Sequence, residues 1–184
     1  MGCAVSSGSK GQSGGLEVVS LSEEQKELVR NSWGTVKNEV MKSGVILFVR
    51  LFEVHPECKE AFFTFRDVPE PGIQFSKELR AHGLRVLSFV EKSVARLGEP
   101  ERLEQLSLDL GRKHYHYNSN PQYYMYLGVE FIKVIKPILE DSWSSELENA
   151  WMTLFLYITQ LMKEGYEEAG KQCRPVAESQ RQKL

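Results

Sequence analysis

The sequence has little cysteine. Its three residues, Cys3, Cys58 and Cys173, are far apart and odd in number, which excludes a disulfide framework and a zinc-ligand spacing. A Cys58–Cys173 bridge stays open, although a reducing cytosol would disfavour it unless it served as a redox switch. There is no apolar run of about 18 residues, so no transmembrane helix is expected. The N-terminus has no apolar core of the secretory kind, which predicts a chain on the cytoplasmic side. There is no basic excess either. Lys and Arg number 23 against 25 Asp and Glu, for a formal net charge of -2, and no stripe of positive charge answers to nucleic acid. The P-loop, the dinucleotide-binding glycine fingerprint and C-x-x-C are all absent. So are hairpin dipeptides between alternating apolar runs, which argues against a sheet.

What is present falls into three parts. The 184 residues suit one domain with tails. Residues 1–19 are rich in Gly and Ser, carry no helical period and read as a flexible tail. They begin M-G-x-x-x-[ST], with Gly2 and Ser6 in the required places, so Gly2 is a candidate for myristoylation. Cys3 is adjacent and is a candidate for palmitoylation. One myristoyl chain holds a protein to a membrane only marginally, and two hold it stably. With a single lysine and no basic cluster in the segment, Cys3 is the second anchor to expect. The alternative is an unmodified tail. Residues 169–184, with Pro175 and no apolar period, read as a frayed C-terminal tail.

Residues 20–168 read as one domain, helical throughout from Ser20 to about Gly165. Ser22 and Gln25 form a possible capping box. Apolar residues then recur at steps of three and four: Val29, Trp33, Val36, Val40; then Leu79, Gly83, Val86, Val90, Val94, Leu97. A third series, Leu103, Leu106, Leu110, ends on His114. Later ones run through Leu127, Phe131, Val134, Ile135, and through Leu147, Ala150, Trp151, Leu154, Ile158, Leu161. Pro137 is expected to kink or end the helix that contains it. The fold class is all-α.

Of the four histidines, His82 and His114 fall where the helical pattern wants apolar residues. A buried imidazole needs a partner for its ring nitrogens. One inward histidine is more often a satisfied core residue than a ligand, and two on separate helices raise the case for a shared metal or cofactor. His55, beside Pro56, reads as packing at a helix end, and His116 as surface.

The segment HPECKEAFFTF (55–65) resembles the globin segment after the second helix, with Pro56 opening a turn and Phe62 placed to stack on haem. RAHGLRVL (80–87) looks like the globin distal helix, with His82 as distal histidine and Val86 one turn on. LGRKH (110–114) looks like the neuroglobin form of the proximal helix, with His114 on the iron. The resemblance covers about residues 20–168, and the acylation signal added to it resembles the membrane-associated globin X group. It implies a globin fold around haem b, bound without covalent attachment since C-x-x-C-H is missing. It implies His114 and His82 as proximal and distal iron ligands, in a slot walled by Phe62, Phe65, Val86 and Leu110, with Phe131 a further candidate. Phe48 aligns with a distal-pocket position. His82 has two possible roles, bonding a bound ligand or binding the iron itself; the resemblance favours the second.

The implied function is redox and diatomic-gas chemistry at the cytoplasmic face of a membrane. Oxygen, nitric oxide, carbon monoxide and nitrite are the expected ligands, and an unidentified reductase the expected donor. Enzymatic turnover, as in nitrite reduction, stays open; the competing readings are a non-catalytic signalling module and a reversible oxygen carrier or sensor. From the acylation motif, Gly2→Ala is expected to move the chain from the membrane to the soluble cell fraction. Unchanged sedimentation with membranes would show that the tail is not the anchor.

Overall fold

The computed structural model describes residues 19–62 and 77–181. Gly2, Cys3 and Phe65 lie outside them. Among the described residues the chain is helical and contains no strand. Helix α1 spans Glu23–Val36, α2 Val40–Val54, α3 Lys77–Ala95, α4 Pro100–His116, α5 Gln122–Leu139 and α6 Ser145–Arg181. Single 3-10 turns lie at Lys37–Glu39, Pro56–Ala61 and Glu140–Ser142.

Local chemistry sets the helix ends. The capping box of α1 is formed in both directions: Gln25 N–H donates to Ser22 Oγ at 3.2 Å and Ser22 N–H donates to Gln25 Oε1 at 3.0 Å. Glu23 and Glu24 add negative charge where the helix dipole favours it. Pro100 opens α4, where its missing N–H costs nothing. Pro137 lies inside α5, which ends two residues later at Leu139, followed by Glu140 at φ 43°. Helix α6 differs from expectation. Its backbone stays helical to Arg181, past Pro175, where the loss of apolar period suggested fraying. Residues 163–173 are mostly good helix formers, and a proline removes one backbone bond of a long ladder.

Most of the apolar series identified above contribute to one core. Trp151 is fully buried at its centre, 5.3 Å from Phe131 and 6.3 Å from Trp33 between ring centroids. Its indole N–H donates to Ser32 Oγ at 3.0 Å, and that hydroxyl lies 2.9 Å from the Leu28 carbonyl, to which it donates. A buried indole donor without such a partner would be costly. The Glu130 carboxylate is likewise buried completely. It accepts from Lys133 Nζ at 2.7 Å and Arg50 Nε at 3.2 Å, and Arg50 ties α5 to α2.

Two helix crossings bear on the site. A Cβ on Gly83 of α3 would come within 2.9 Å of the Gly44 backbone on α2. A Cβ on Gly111 of α4 would collide with the Met162 carbonyl of α6, and one on Gly165 of α6 with the Leu108 carbonyl of α4. Backbone cannot change rotamer to make room, so these helices approach as they do only because glycine has no side chain. His82 stands one residue before the first contact and His114 three residues after the second.

Gly111→Ala is therefore expected to destabilise the chain by about 2 kcal/mol or more, read by urea unfolding. Gly34, on the exposed face of α1 with open space around it, supplies the contrast. Gly34→Ala should stabilise by roughly 0.5–1 kcal/mol. Equal effects would show that the α4–α6 crossing is not tight.

Candidate functional site

The site is built around His82 on α3 and His114 on α4. The His82 ring stands edge-on to Phe48 of α2 and to Phe62, at 5.0 Å from each centroid and interplanar angles of 75° and 87°. Phe62 in turn packs at 5.7 Å from Phe48 and 5.5 Å from Phe52. Leu51, Leu79 and Cys58 complete this apolar cluster, and Val86 packs against both it and the main core. Burial in such surroundings penalises the charged imidazole. It pulls the His82 pKa down to about 4, helped by the positive charge of Arg85 and then by that of His114. His82 is thus neutral at pH 7. Its Nδ1 lies 3.2 Å from Arg85 Nη2.

His114 Nδ1 lies 2.8 Å from the carbonyl of Leu110, four residues earlier on the same helix. A carbonyl only accepts, so Nδ1–H is the donor and the lone pair of Nε2 is left free. Burial lowers this pKa too, and the bond to Leu110 opposes the shift. The Tyr124 ring stands edge-on at 5.3 Å, with its hydroxyl donating to the Ser119 carbonyl at 3.3 Å. Burial raises the phenol pKa, so Tyr124 is a neutral packing partner at pH 7.

These are two neutral imidazoles on different helices, each with one polar partner on its own helix. One already presents an unprotonated Nε2, which is the state a metal requires of histidine. Among the described residues no three His, Cys, Asp or Glu side chains gather to hold a metal. A centre on His82 and His114 would then draw its other ligands from a bound group. An apolar macrocycle carrying iron fits that requirement and the rings lining the His82 side.

Other residues take simpler places. Leu110 packs against the main core and offers its carbonyl to His114. Phe131, a candidate wall, spends its ring on Trp151 and Phe155, at 5.3 and 5.1 Å. His116 and Lys113 are exposed. His55 follows α2 and stacks on Tyr126 at 4.0 Å. Cys58 is buried, its thiol pushed up to about 12 chiefly by burial, while Cys173 is exposed; both are free thiols, so the two form no bridge. Arg85 and Phe52 were not singled out from sequence, and Tyr124 was read only as packing within a patch of tyrosines. Arg85 had a signal, its place three residues from His82 on one helix. Tyr124 meets His114 only through tertiary packing.

The globin family model matches residues 46–162. A neuroglobin of Dissostichus mawsoni is 30% identical over 152 residues, covering 82% of this chain and 96% of that protein. An anaerobic nitrite reductase of Gossypium hirsutum is 30% identical over 132 residues, covering 70% of this chain and 80% of that one. In fold, the chain is similar to a hexacoordinated heme protein from an anhydrobiotic tardigrade, with a TM-score of 0.74, 17% identity, and coverage of 81% and 97% of the two chains.

The His82 environment has a consequence for stability without ligand. Unfolded, His82 takes a proton near pH 6.5; folded, only near pH 4. Across that window the unfolded chain binds more protons, so stability should fall as the pH falls and level off below it. The His82 share is on the order of 3 kcal/mol. Urea unfolding of His82→Leu should show a shallower fall between pH 6.5 and 4 than the parent. Identical slopes would mean that His82 is not desolvated.

Proposed function

The chain belongs to the globin family, and from that premise we propose that it is a two-histidine haem protein in redox and diatomic-gas chemistry. Haem is its cofactor. When bound, haem iron supplies reversible binding of small ligands and exchange of single electrons. The observation that carries the reading is the His114 Nδ1–H bond to the Leu110 carbonyl. It fixes the tautomer and plane of the ring and leaves Nε2 to the iron.

His82 would be the second residue to hold the haem iron. Phe48 and Phe62 stand edge-on to its ring and limit its rotation. An external ligand must first displace His82, so its apparent affinity falls by the fraction of open sites. The hexacoordinated heme protein of similar fold supports this arrangement, as does similarity to a neuroglobin. Oxygen, nitric oxide and carbon monoxide are the ligands of this reading. Nitrite joins them on the strength of the related plant protein named a nitrite reductase. Repeated turnover of nitrite with a cellular reductant would make the chain an enzyme; a single stoichiometric reaction would not.

The finer reading is a membrane-tethered protein of the globin X kind. It rests on Gly2 and Cys3 as acylation sites, which place the haem domain at the cytoplasmic face of a membrane and raise its effective concentration near a reductase or oxidised lipid. A second reading, a reversible oxygen carrier or sensor, has one observation in its favour. Arg85 contacts the His82 nitrogen that would have to carry the proton if His82 bound iron through Nε2.

The visible spectrum of the anaerobic ferrous protein separates the two. Sharp, split bands without added ligand are expected for iron held by both histidines, whereas one broad band would mean an open site and the carrier reading. His114→Ala is expected to lose haem on reconstitution. Full haem content in that variant would sink the proximal assignment.

A further inference from the structure

His82 and His114 hold opposite tautomers. At His114 a carbonyl accepts from Nδ1–H, and Nε2 is free. At His82 the partner is the Arg85 guanidinium, 3.2 Å from Nδ1. A guanidinium has only donors and keeps its charge at any ordinary pH. Nδ1 of His82 is therefore the acceptor, and the proton of the neutral ring sits on Nε2. In that state Nε2 has no lone pair for iron. It can donate a hydrogen bond to a molecule lying in the site. The ring has little freedom to escape this choice, because Phe48 and Phe62 stand edge-on to it at 5.0 Å each. Arg85 lies three residues on from His82 along α3, and its side chain is exposed, so it can leave for solvent.

We propose that Arg85 is a positioning residue that sets how often His82 closes the iron site. While Arg85 donates to Nδ1, His82 keeps its proton on Nε2 and serves as a hydrogen-bond donor. When Arg85 withdraws, water carries the proton from Nε2 to Nδ1, with no change in net charge or electron count, and Nε2 becomes a ligand. The contact thus weights a closed, two-histidine state against an open, ligand-binding one. This rests on the two-histidine reading above, and it accounts for the single observation that favoured the carrier.

The test compares the full chain with Arg85→Met, which removes the donor at similar bulk, and Arg85→Lys, which keeps one. Long-range proton–nitrogen correlation spectra of the haem-free chain report the tautomer of His82 directly. The proton is expected on Nε2 in the parent and in Arg85→Lys, and on Nδ1 to a larger extent in Arg85→Met. After haem reconstitution, ferrous Arg85→Met should show a larger six-coordinate share. Its apparent affinity for carbon monoxide should fall about three- to tenfold, the scale of one charged hydrogen bond at a partly exposed site. A parent with its proton already on Nδ1, one tautomer in parent and Arg85→Met alike, or an unchanged or higher carbon monoxide affinity would overturn the proposal. The parent reading fails by a different sign. If the ferrous spectra of the parent and His82→Leu coincide, His82 does not bind iron, whatever tautomer the haem-free chain displays.

Discussion

Two backbone contacts fix where the site can be. Helix α3 touches α2 at Gly83 and Gly44, and α4 touches α6 at Gly111, Met162, Leu108 and Gly165. Side chains between helices can repack by changing rotamer; bare backbones in contact cannot. Each site histidine stands within a helical turn of one of these contacts, so its position follows from helix axes and not from surface side chains. The core around Trp151 then holds α1, α5 and α6 together, and the Glu130 ion cluster ties α5 to α2. A catalytic or binding group needs rigid support more than it needs proximity alone. Here the supports are helix crossings at which backbone lies against backbone.

The same packing decides the chemistry of the imidazoles. A histidine on a helix surface titrates near neutrality and exchanges tautomers freely. His82 and His114 lie in apolar surroundings that hold them neutral, and each has one polar partner that selects which nitrogen keeps the proton. At His114 that partner is the carbonyl of its own helix, fixed as long as α4 is helical. At His82 it is an exposed side-chain cation. The two sides of the site therefore differ in kind: one permanent, one conditional.

Much of this was legible in the sequence, because helical periodicity records burial. All six residues of the last apolar series, Leu147 to Leu161, are buried in α6, and His114 was found by its place in such a series. What periodicity cannot record is which neighbour a buried face meets. Phe131 has the right period for a wall of the site, and its ring packs on Trp151 and Phe155 instead. Glu130 sits among apolar residues in a segment with Lys133 and Lys136, where a charge reads as solvated, yet it is wholly buried because Arg50 comes from 80 positions away to meet it. Tyr124 reaches His114 for the same reason. The Leu110 carbonyl went unnamed since backbone acceptors leave no trace in residue identity. The helical course of residues 169–181 was missed because helix can persist on local propensity after the buried face has ended.

The tail and the site bear on each other under the proposed reading. An anchor raises the local concentration only of partners that share the membrane. Dissolved gases reach a free protein as readily as a tethered one, so carriage of oxygen gains little from acylation at Gly2 and Cys3. Electron exchange with a membrane-bound reductase or with lipid gains a great deal. A second axial histidine points the same way. It lowers apparent affinity for gases while leaving the coordination of iron similar in both oxidation states, which keeps rearrangement on electron transfer small. The proposed role of the Arg85 contact opposes this bias, since it would hold a fraction of sites open. Under that reading, tether, paired histidines and arginine would serve one end: electron exchange at a surface, with entry of a small ligand when His82 is held off the iron.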